Sequence, residues 1–69
     1  MTKKEVFRQW LSRLHNMGCY VGYRENIPDS RLTVFPEYLW DVLKIIQCGT
    51  PCKISIEQRG EAYRLEPLL

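Results

Sequence analysis

The N-terminal segment alternates apolar and polar positions at the spacing of an amphipathic helix. Thr2 and Glu5 have the spacing of a capping box, in which each side chain bonds a backbone N–H at the helix start. Gly18 can take the left-handed conformation that ends a helix. The pattern therefore predicts a helix over roughly 3–17. Its apolar face would consist of Val6, Phe7, Trp10, Leu11, Leu14 and Met17.

Two short strands are predicted after this helix. Segment 19–23, Cys-Tyr-Val-Gly-Tyr, is rich in the β-branched and aromatic residues that favour strands. Segment 31–35 alternates polar and apolar residues, which indicates a second strand. The polar stretch 24–30 between them contains Pro-Asp, a pair typical of turns. The pattern predicts a hairpin with a long connecting loop.

A second helix is predicted to begin at Pro36, where the missing proline N–H costs nothing. Gly49 can end this helix, and Pro51 prevents its continuation. Because its apolar positions outnumber those of one narrow stripe, part of this helix should stay uncovered by a small sheet. These positions are Tyr38, Leu39, Trp40, Val42, Leu43, Ile45 and Ile46.

The C-terminal segment predicts a β-hairpin. Ile54 and Ile56 alternate with polar residues, and Arg59-Gly60 can form a two-residue turn. A turn at that position would put all the apolar residues on one face and an opposite-charge pair on the other. The predicted pairs are Ile56 with Tyr63, Ile54 with Leu65, and Lys53 with Glu66.

The predicted order of elements is α-β-β-α-β-β. The simplest architecture is a small α+β domain over residues 1–69, with an antiparallel sheet of three or four strands and both helices on one face. A chain of 69 residues leaves no room for a second domain, and 45% hydrophobic residues exclude disorder.

No apolar run approaches the ~18–20 residues that span a bilayer, so no membrane partner is expected. Three cysteines, an odd number, fit a reducing compartment better than a disulfide framework. The sequence therefore predicts a cytoplasmic protein.

Residues that could carry catalysis are few. The sole histidine is His15, and the serines are Ser12, Ser30 and Ser55. Their spacing matches no motif of nucleophile, base and orienting acid, and the glycines form no phosphate loop. We therefore expect no enzymatic activity and no cofactor.

A zinc site is the third hypothesis. His15 and Cys19 lie four residues apart, as do Cys48 and Cys52, and such side chains bind zinc tetrahedrally. The alternative is that the cysteines fill gaps in the core, since Cys52 continues the inward face of Ile54. Without C-x2-C spacing, the expectation is that no metal is bound.

A nucleic-acid surface is the second hypothesis, because basic residues that could contact phosphates cluster early in the chain. The net charge of +2 is lower than that of most dedicated nucleic-acid binders, and an ordinary solvated helix face would also be basic. The residues concerned are Lys3, Lys4, Arg8, Arg13 and Arg24.

Segment 39–69 reads as a helix, then Gly-Thr-Pro, an alternating strand, Arg-Gly, and a strand ending in Leu-Glu-Pro. This order resembles the helix-hairpin part of Phd/YefM-type antitoxins and covers under half of the chain. The chain departs from that family in beginning with a long helix and in lacking a toxin-binding tail after the hairpin. The resemblance implies a small DNA-binding transcriptional or antitoxin-like regulator.

A protein-binding surface is the leading hypothesis. Tyr38 and Trp40 are the aromatic residues of the second helix that should stay at the surface, with Lys44 beside them. Aromatic residues are enriched among the anchors of protein interfaces. The sequence thus predicts a non-catalytic adaptor or inhibitor, of a size suited to a phage accessory protein, that docks on a larger protein or forms a homodimer.

Overall fold

Two helices and four antiparallel strands follow one another in the predicted order, so the predicted fold class is confirmed. The computed structural model describes residues 1–19 and 21–69; Tyr20, part of a predicted strand, lies outside the described residues. The elements are α1 (Lys3–Asn16), β1 (Tyr23–Asn26), β2 (Arg31–Val34), α2 (Leu39–Gln47), β3 (Lys53–Arg59) and β4 (Ala62–Leu68).

Helix α1 forms where its sequence predicts it, except that Met17 lies just past its end and is exposed instead of completing the apolar face. The Thr2 hydroxyl accepts a hydrogen bond from the Glu5 backbone N–H at 3.2 Å, and the Glu5 carboxylate accepts from the Thr2 N–H at 3.4 Å. This capping box satisfies backbone donors that have no partner inside the helix. At the other end, Gly18 has a φ of +72°, which suits the chain reversal after the helix.

The prediction for β1 is wrong in position. The strand covers Tyr23–Asn26 rather than 19–23, and it pairs with β2 from Tyr23 opposite Val34 to Asn26 opposite Arg31. A four-residue connection, closed by the Ser30 N–H on the Ile27 carbonyl at 3.2 Å, replaces the predicted long loop. Because β1 is an edge strand with mostly exposed residues, it needs no apolar alternation.

The predicted helix start at Pro36 is a short 3-10 turn, Pro36–Tyr38, and α2 begins at Leu39. The helix ends at Gln47, and Gly49 follows with a φ of +74°. The proline and glycine therefore lie at opposite ends of the helical region, as their backbone preferences require.

The β3–β4 hairpin has the predicted turn length but not the predicted register. Ile56 lies opposite Leu65 and Arg59 opposite Ala62, so the turn residues are Gly60 and Glu61. Gly60 has a φ of +61°, and a glycine in the first turn position is typical of a type II′ turn. The predicted Arg59-Gly60 turn would instead have placed arginine there. Since the shift is two residues, the apolar residues keep their face.

The sheet order is β1-β2-β4-β3. The registers place Leu32, Val34 and Leu65 on one face, where they are fully buried with the apolar residues of both helices. Both helices therefore pack on that face, and β3 is left as an edge strand. None of the described helices is long and apolar enough to cross a membrane. The core consists of Val6, Phe7, Trp10, Leu14, Leu32, Val34, Val42, Ile46 and Leu65.

Candidate functional site

An open groove of about 720 Å³ runs between α2 and the edge strand β3. One wall is a row of α2 side chains and the other is the helix-facing side of β3. The lining residues are Trp40, Leu43, Lys44, Gln47, Thr50, Cys52, Lys53, Ile54 and Ile56.

Helix α2 supplies its wall through residues at positions 40, 43, 44 and 47. This i, i+3, i+4, i+7 spacing places them along one side of a helix. The buried residues Val42 and Ile46 form a separate stripe that points into the core. The unusual width of the apolar surface of α2 is thus explained by two adjacent stripes, one packed and one lining the groove.

Strand β3 supplies the other wall because it is the edge of the sheet. Ile54 is half-buried against the core, whereas Ile56 is 51% exposed. Leu43 also packs against the core from α2. The apolar surface of the groove is therefore continuous with the core.

Trp40 is the most exposed large aromatic side chain of the described residues, at 73%. It stands on the first turn of α2, at the end of the groove-lining row. An indole contributes roughly 150–250 Å² of surface when it is buried, so its exposure here is a substantial uncovered apolar area. The other tryptophan, Trp10, is fully buried.

The connection between α2 and β3 is held by side-chain hydrogen bonds at one end of the groove. The Trp10 indole N–H donates to the Thr50 hydroxyl at 3.0 Å, and that hydroxyl donates to the Ile46 carbonyl. Arg13 donates to the same carbonyl at 3.2 Å and to the Thr50 hydroxyl at 3.4 Å. These bonds satisfy a carbonyl near the C-terminus of α2 and tie the connection to α1.

The charge of the lining is entirely positive. Lys44 and Lys53 are its charged residues, and neither joins an ion pair within the described part of the chain. None of the described residues that line the groove is aspartate, glutamate or histidine. Because Lys53 alternates with Ile54 along β3, its side chain leaves from the other face of the sheet, so the groove combines an apolar floor with the ammonium group of Lys44.

The predicted protein-binding residues do not all lie in the same place in the structure. Trp40 and Lys44 line the groove, but Tyr38 is half-buried and packs against the core instead. Tyr38 lies so close to Gly22 that a Cβ built on Gly22 would be 2.8 Å from the Tyr38 Cβ. Tyr38 thus packs between the core and the segment before β1, and its predicted role in binding stays a prediction.

The predicted basic residues do not form one stripe. Lys3 pairs with Glu66 at 3.0 Å, and Arg13 is engaged at the end of α2. Arg24 belongs to β1 and lies 6.0 Å from the centroid of the Phe35 ring. Lys4 and Arg8 are exposed on α1 and belong to none of the ion pairs of the described residues.

The four side chains of the zinc hypothesis are not brought together. Among the described residues, no group of three or more His, Cys, Asp or Glu side chains could hold a metal ion. Cys19 and Cys52 are half-buried against the core, as gap-filling cysteines would be. Cys48 is exposed, so the expectation of a core position is wrong for it.

Sequence reasoning missed most of the groove. It read the face that Ile54 and Ile56 share as an inward face. Alternation shows which face the two residues share, but it does not show whether a helix covers that face. The position of β3 in the sheet decides this, and it depends on the long-range pairing of β2 with β4. The signal that was available is the i, i+3, i+4, i+7 row that starts at Trp40.

No family model, no curated protein and no solved structure matches this chain. The resemblance to Phd/YefM-type antitoxins therefore gains no support from the family models.

Proposed function

We propose that the protein is a non-catalytic binding module that docks on a larger protein through the groove between α2 and β3. The observation that supports this most directly is Trp40, 73% exposed beside an apolar groove that continues into the core. Exposed apolar patches rimmed by charge mark interaction sites. Tryptophan is among the residues most enriched at the energetic centres of interfaces.

The free energy available from Trp40 is large for one residue. Burying roughly 150 Å² of its surface at ~25 cal/mol per Å² gives about 4 kcal/mol before the entropic costs of association. Ile56 adds a second half-exposed apolar side chain on the opposite wall. A partner segment lying between them would contact both walls at once.

The lining also indicates the chemistry of the partner. Lys44 contributes positive charge, and no acidic residue among the described lining residues offsets it. The complementary partner is an apolar segment that carries an aspartate or glutamate near one end. Charges at the rim of an interface mainly raise the association rate, so binding should slow at high salt.

A non-catalytic role agrees with the chemistry of the lining. The titratable side chains among the described lining residues are Lys44, Lys53 and Cys52, and no carboxylate or imidazole lies among them to activate a base or a nucleophile. The Thr50 hydroxyl already bonds the Ile46 carbonyl. The side chains of the groove are suited to contact rather than to proton transfer.

The test compares the unmodified chain with Trp40→Ala and with a matched control, Ile27→Ala. Ile27 is 48% exposed in the β1–β2 connection, and β1 forms the opposite edge of the sheet from β3. Proteins captured from nuclease-treated lysate of the source cells are identified by mass spectrometry. Each candidate is then purified, and its dissociation constant is measured by calorimetry against all three chains.

We expect one partner whose dissociation constant rises about thirtyfold for Trp40→Ala, the change for an interface anchor of about 2 kcal/mol, with none for Ile27→Ala. Lys44→Glu should slow association with the same partner. If every captured protein binds Trp40→Ala as tightly as the unmodified chain, the groove is not the docking site. If only nucleic acid is retained when nuclease is omitted, the DNA-binding regulator replaces this proposal, with Lys4 and Arg8 as its contacts.

A further inference from the structure

Strand β3 is a seven-residue edge strand whose outer side has no neighbour within the described part of the chain. Long unprotected edges pair with other strands unless charges, prolines or bulges prevent it. Seven paired residues continue without interruption from Lys53 to Arg59, and no proline interrupts them. The charges of β3 are therefore the feature that decides which strand can pair with it.

The hairpin geometry fixes which residues of β3 offer their backbone to a neighbour. Arg59 and Ala62 flank the two-residue turn, and such flanking residues exchange backbone hydrogen bonds across a hairpin. Successive residues of a strand point their N–H and C=O groups to opposite sides. Ile54, Ile56 and Gln58 consequently direct theirs to the free edge.

The sequence around Ser55 is complementary to itself in an antiparallel arrangement. If Ser55 lies opposite Ser55 of a second copy, Ile54 lies opposite Ile56, and Lys53 lies opposite Glu57. Both Ile54–Ile56 pairs then exchange backbone hydrogen bonds, as their edge-directed groups require. The isoleucines meet on the helix-facing side, and opposite charges meet on the other side.

Neighbouring registers lose this complementarity. Centring the pair on Ile56 places Lys53 opposite Arg59, which are like charges. Centring it on Glu57 places two glutamates opposite each other. Like charges directly across a strand pair are destabilising. Centring on Ile54 brings no like charges together, but it places Lys53 opposite Ser55 and loses both Lys53–Glu57 pairs. The arrangement centred on Ser55 is therefore the one that places opposite charges across the pair.

We propose that the protein forms a twofold symmetric homodimer in which the β3 strands of two copies pair antiparallel about Ser55. Each copy contributes the same surface, as twofold symmetry demands. The two four-stranded sheets become one continuous sheet. The grooves of both copies then open side by side over a shared floor of isoleucines, with a Trp40 on each outer wall. This inference rests on the edge strand and holds whether or not a larger protein binds the groove.

A cross-linking experiment tests the register directly. In a background with the three native cysteines replaced by alanine, Ser55→Cys is compared with Glu57→Cys under mild oxidation. Residues opposite each other in a non-hydrogen-bonded antiparallel pair have Cα atoms about 4.5 Å apart, within the range that a disulfide spans. The two residues at position 57 would be offset by four positions, roughly 13 Å along the strand. Ser55→Cys should form a disulfide-linked dimer, and Glu57→Cys should stay monomeric.

A charge-exchange experiment tests the same pairing without a covalent bond. Sedimentation equilibrium is measured for Lys53→Glu, for Glu57→Lys and for their equimolar mixture, with Lys4→Glu as an exposed control on α1. Each single variant should raise the dimer dissociation constant on the order of tenfold or more, because both symmetric pairs become repulsive. The mixture should dimerise as the unmodified chain does, since both pairs are again of opposite charge.

Circular dichroism verifies that each variant is folded. A monomer at all concentrations up to millimolar overturns the proposal. So does a dimer whose dissociation constant is unchanged by both reversals, or one in which Glu57→Cys cross-links as fast as Ser55→Cys. A failure of the groove to bind any partner leaves these results unaffected, so the two proposals are tested separately.

Discussion

Thr50→Val removes the hydroxyl that links Trp10, Arg13 and Ile46 while nearly preserving the shape of the side chain. The Ile46 carbonyl keeps its bond from Arg13 at 3.2 Å. The Trp10 indole N–H loses its acceptor at 3.0 Å, and Trp10 is fully buried, so water cannot replace the acceptor. A buried donor without a partner costs about 1–3 kcal/mol. We expect the free energy of unfolding to fall by about 2 kcal/mol.

The effect should be easy to measure. A domain of this length has a total stability of roughly 3–10 kcal/mol. For a domain of this size, a loss of about 2 kcal/mol lowers the melting temperature by roughly 8–16 °C. Urea unfolding followed by circular dichroism gives the free energy directly.

Thr50→Ser is the matched control, because it keeps the hydroxyl and removes only a methyl group, worth about 0.8 kcal/mol. The valine variant should therefore be clearly less stable than the serine variant. If the two variants unfold at the same urea concentration, the Trp10–Thr50 bond does not stabilise the fold, and our account of the α2–β3 connection is wrong.

Three further predictions follow from the described contacts. Arg13→Ala should lower the free energy of unfolding by about 1.5–3 kcal/mol in urea titrations, because it removes hydrogen bonds from a charged group. The control Arg8→Ala, at an exposed position, should change it by less than about 0.5 kcal/mol. Gly22→Ala should cost about 1–3 kcal/mol in the same assay, because the new methyl group would lie 2.8 Å from the Tyr38 Cβ and the packing must shift. Cys48 is the exposed cysteine, so brief treatment with iodoacetamide followed by peptide mass spectrometry should find it alkylated before the half-buried cysteines; equal labelling of all three would contradict its placement.

Local chemistry made α1 and the element order predictable. The capping box, the 3.6-residue periodicity and the terminal glycine of α1 all act within a few residues, so they can be read without knowing the rest of the fold. The same holds for the two-residue length of the β3–β4 turn. The strand β1 was misplaced because an exposed edge strand has no burial pattern to locate it.

The register of the β3–β4 hairpin shows where pattern reasoning stops. Turns at Arg59-Gly60 and at Gly60-Glu61 differ by two residues in pairing, and a shift of two leaves every side chain on the same face. Apolar alternation therefore cannot distinguish them. The backbone does, because a type II′ turn needs a positive φ at its first position, and Gly60 adopts it readily. The groove was partly hidden for a related reason: Ile56 has a core-like pattern but no helix above it.

The order of strands in the sheet has a consequence for how this chain folds. The central strand β4 comes after the other three strands in sequence, and it joins β2 to β3. Each hairpin alone would be marginally stable in water. The sheet can become cooperative only when Leu32 meets Leu65, a contact across nearly half of the chain. Closing so long a loop is an entropic barrier, so we expect this pairing, rather than the formation of either helix, to limit the rate of folding.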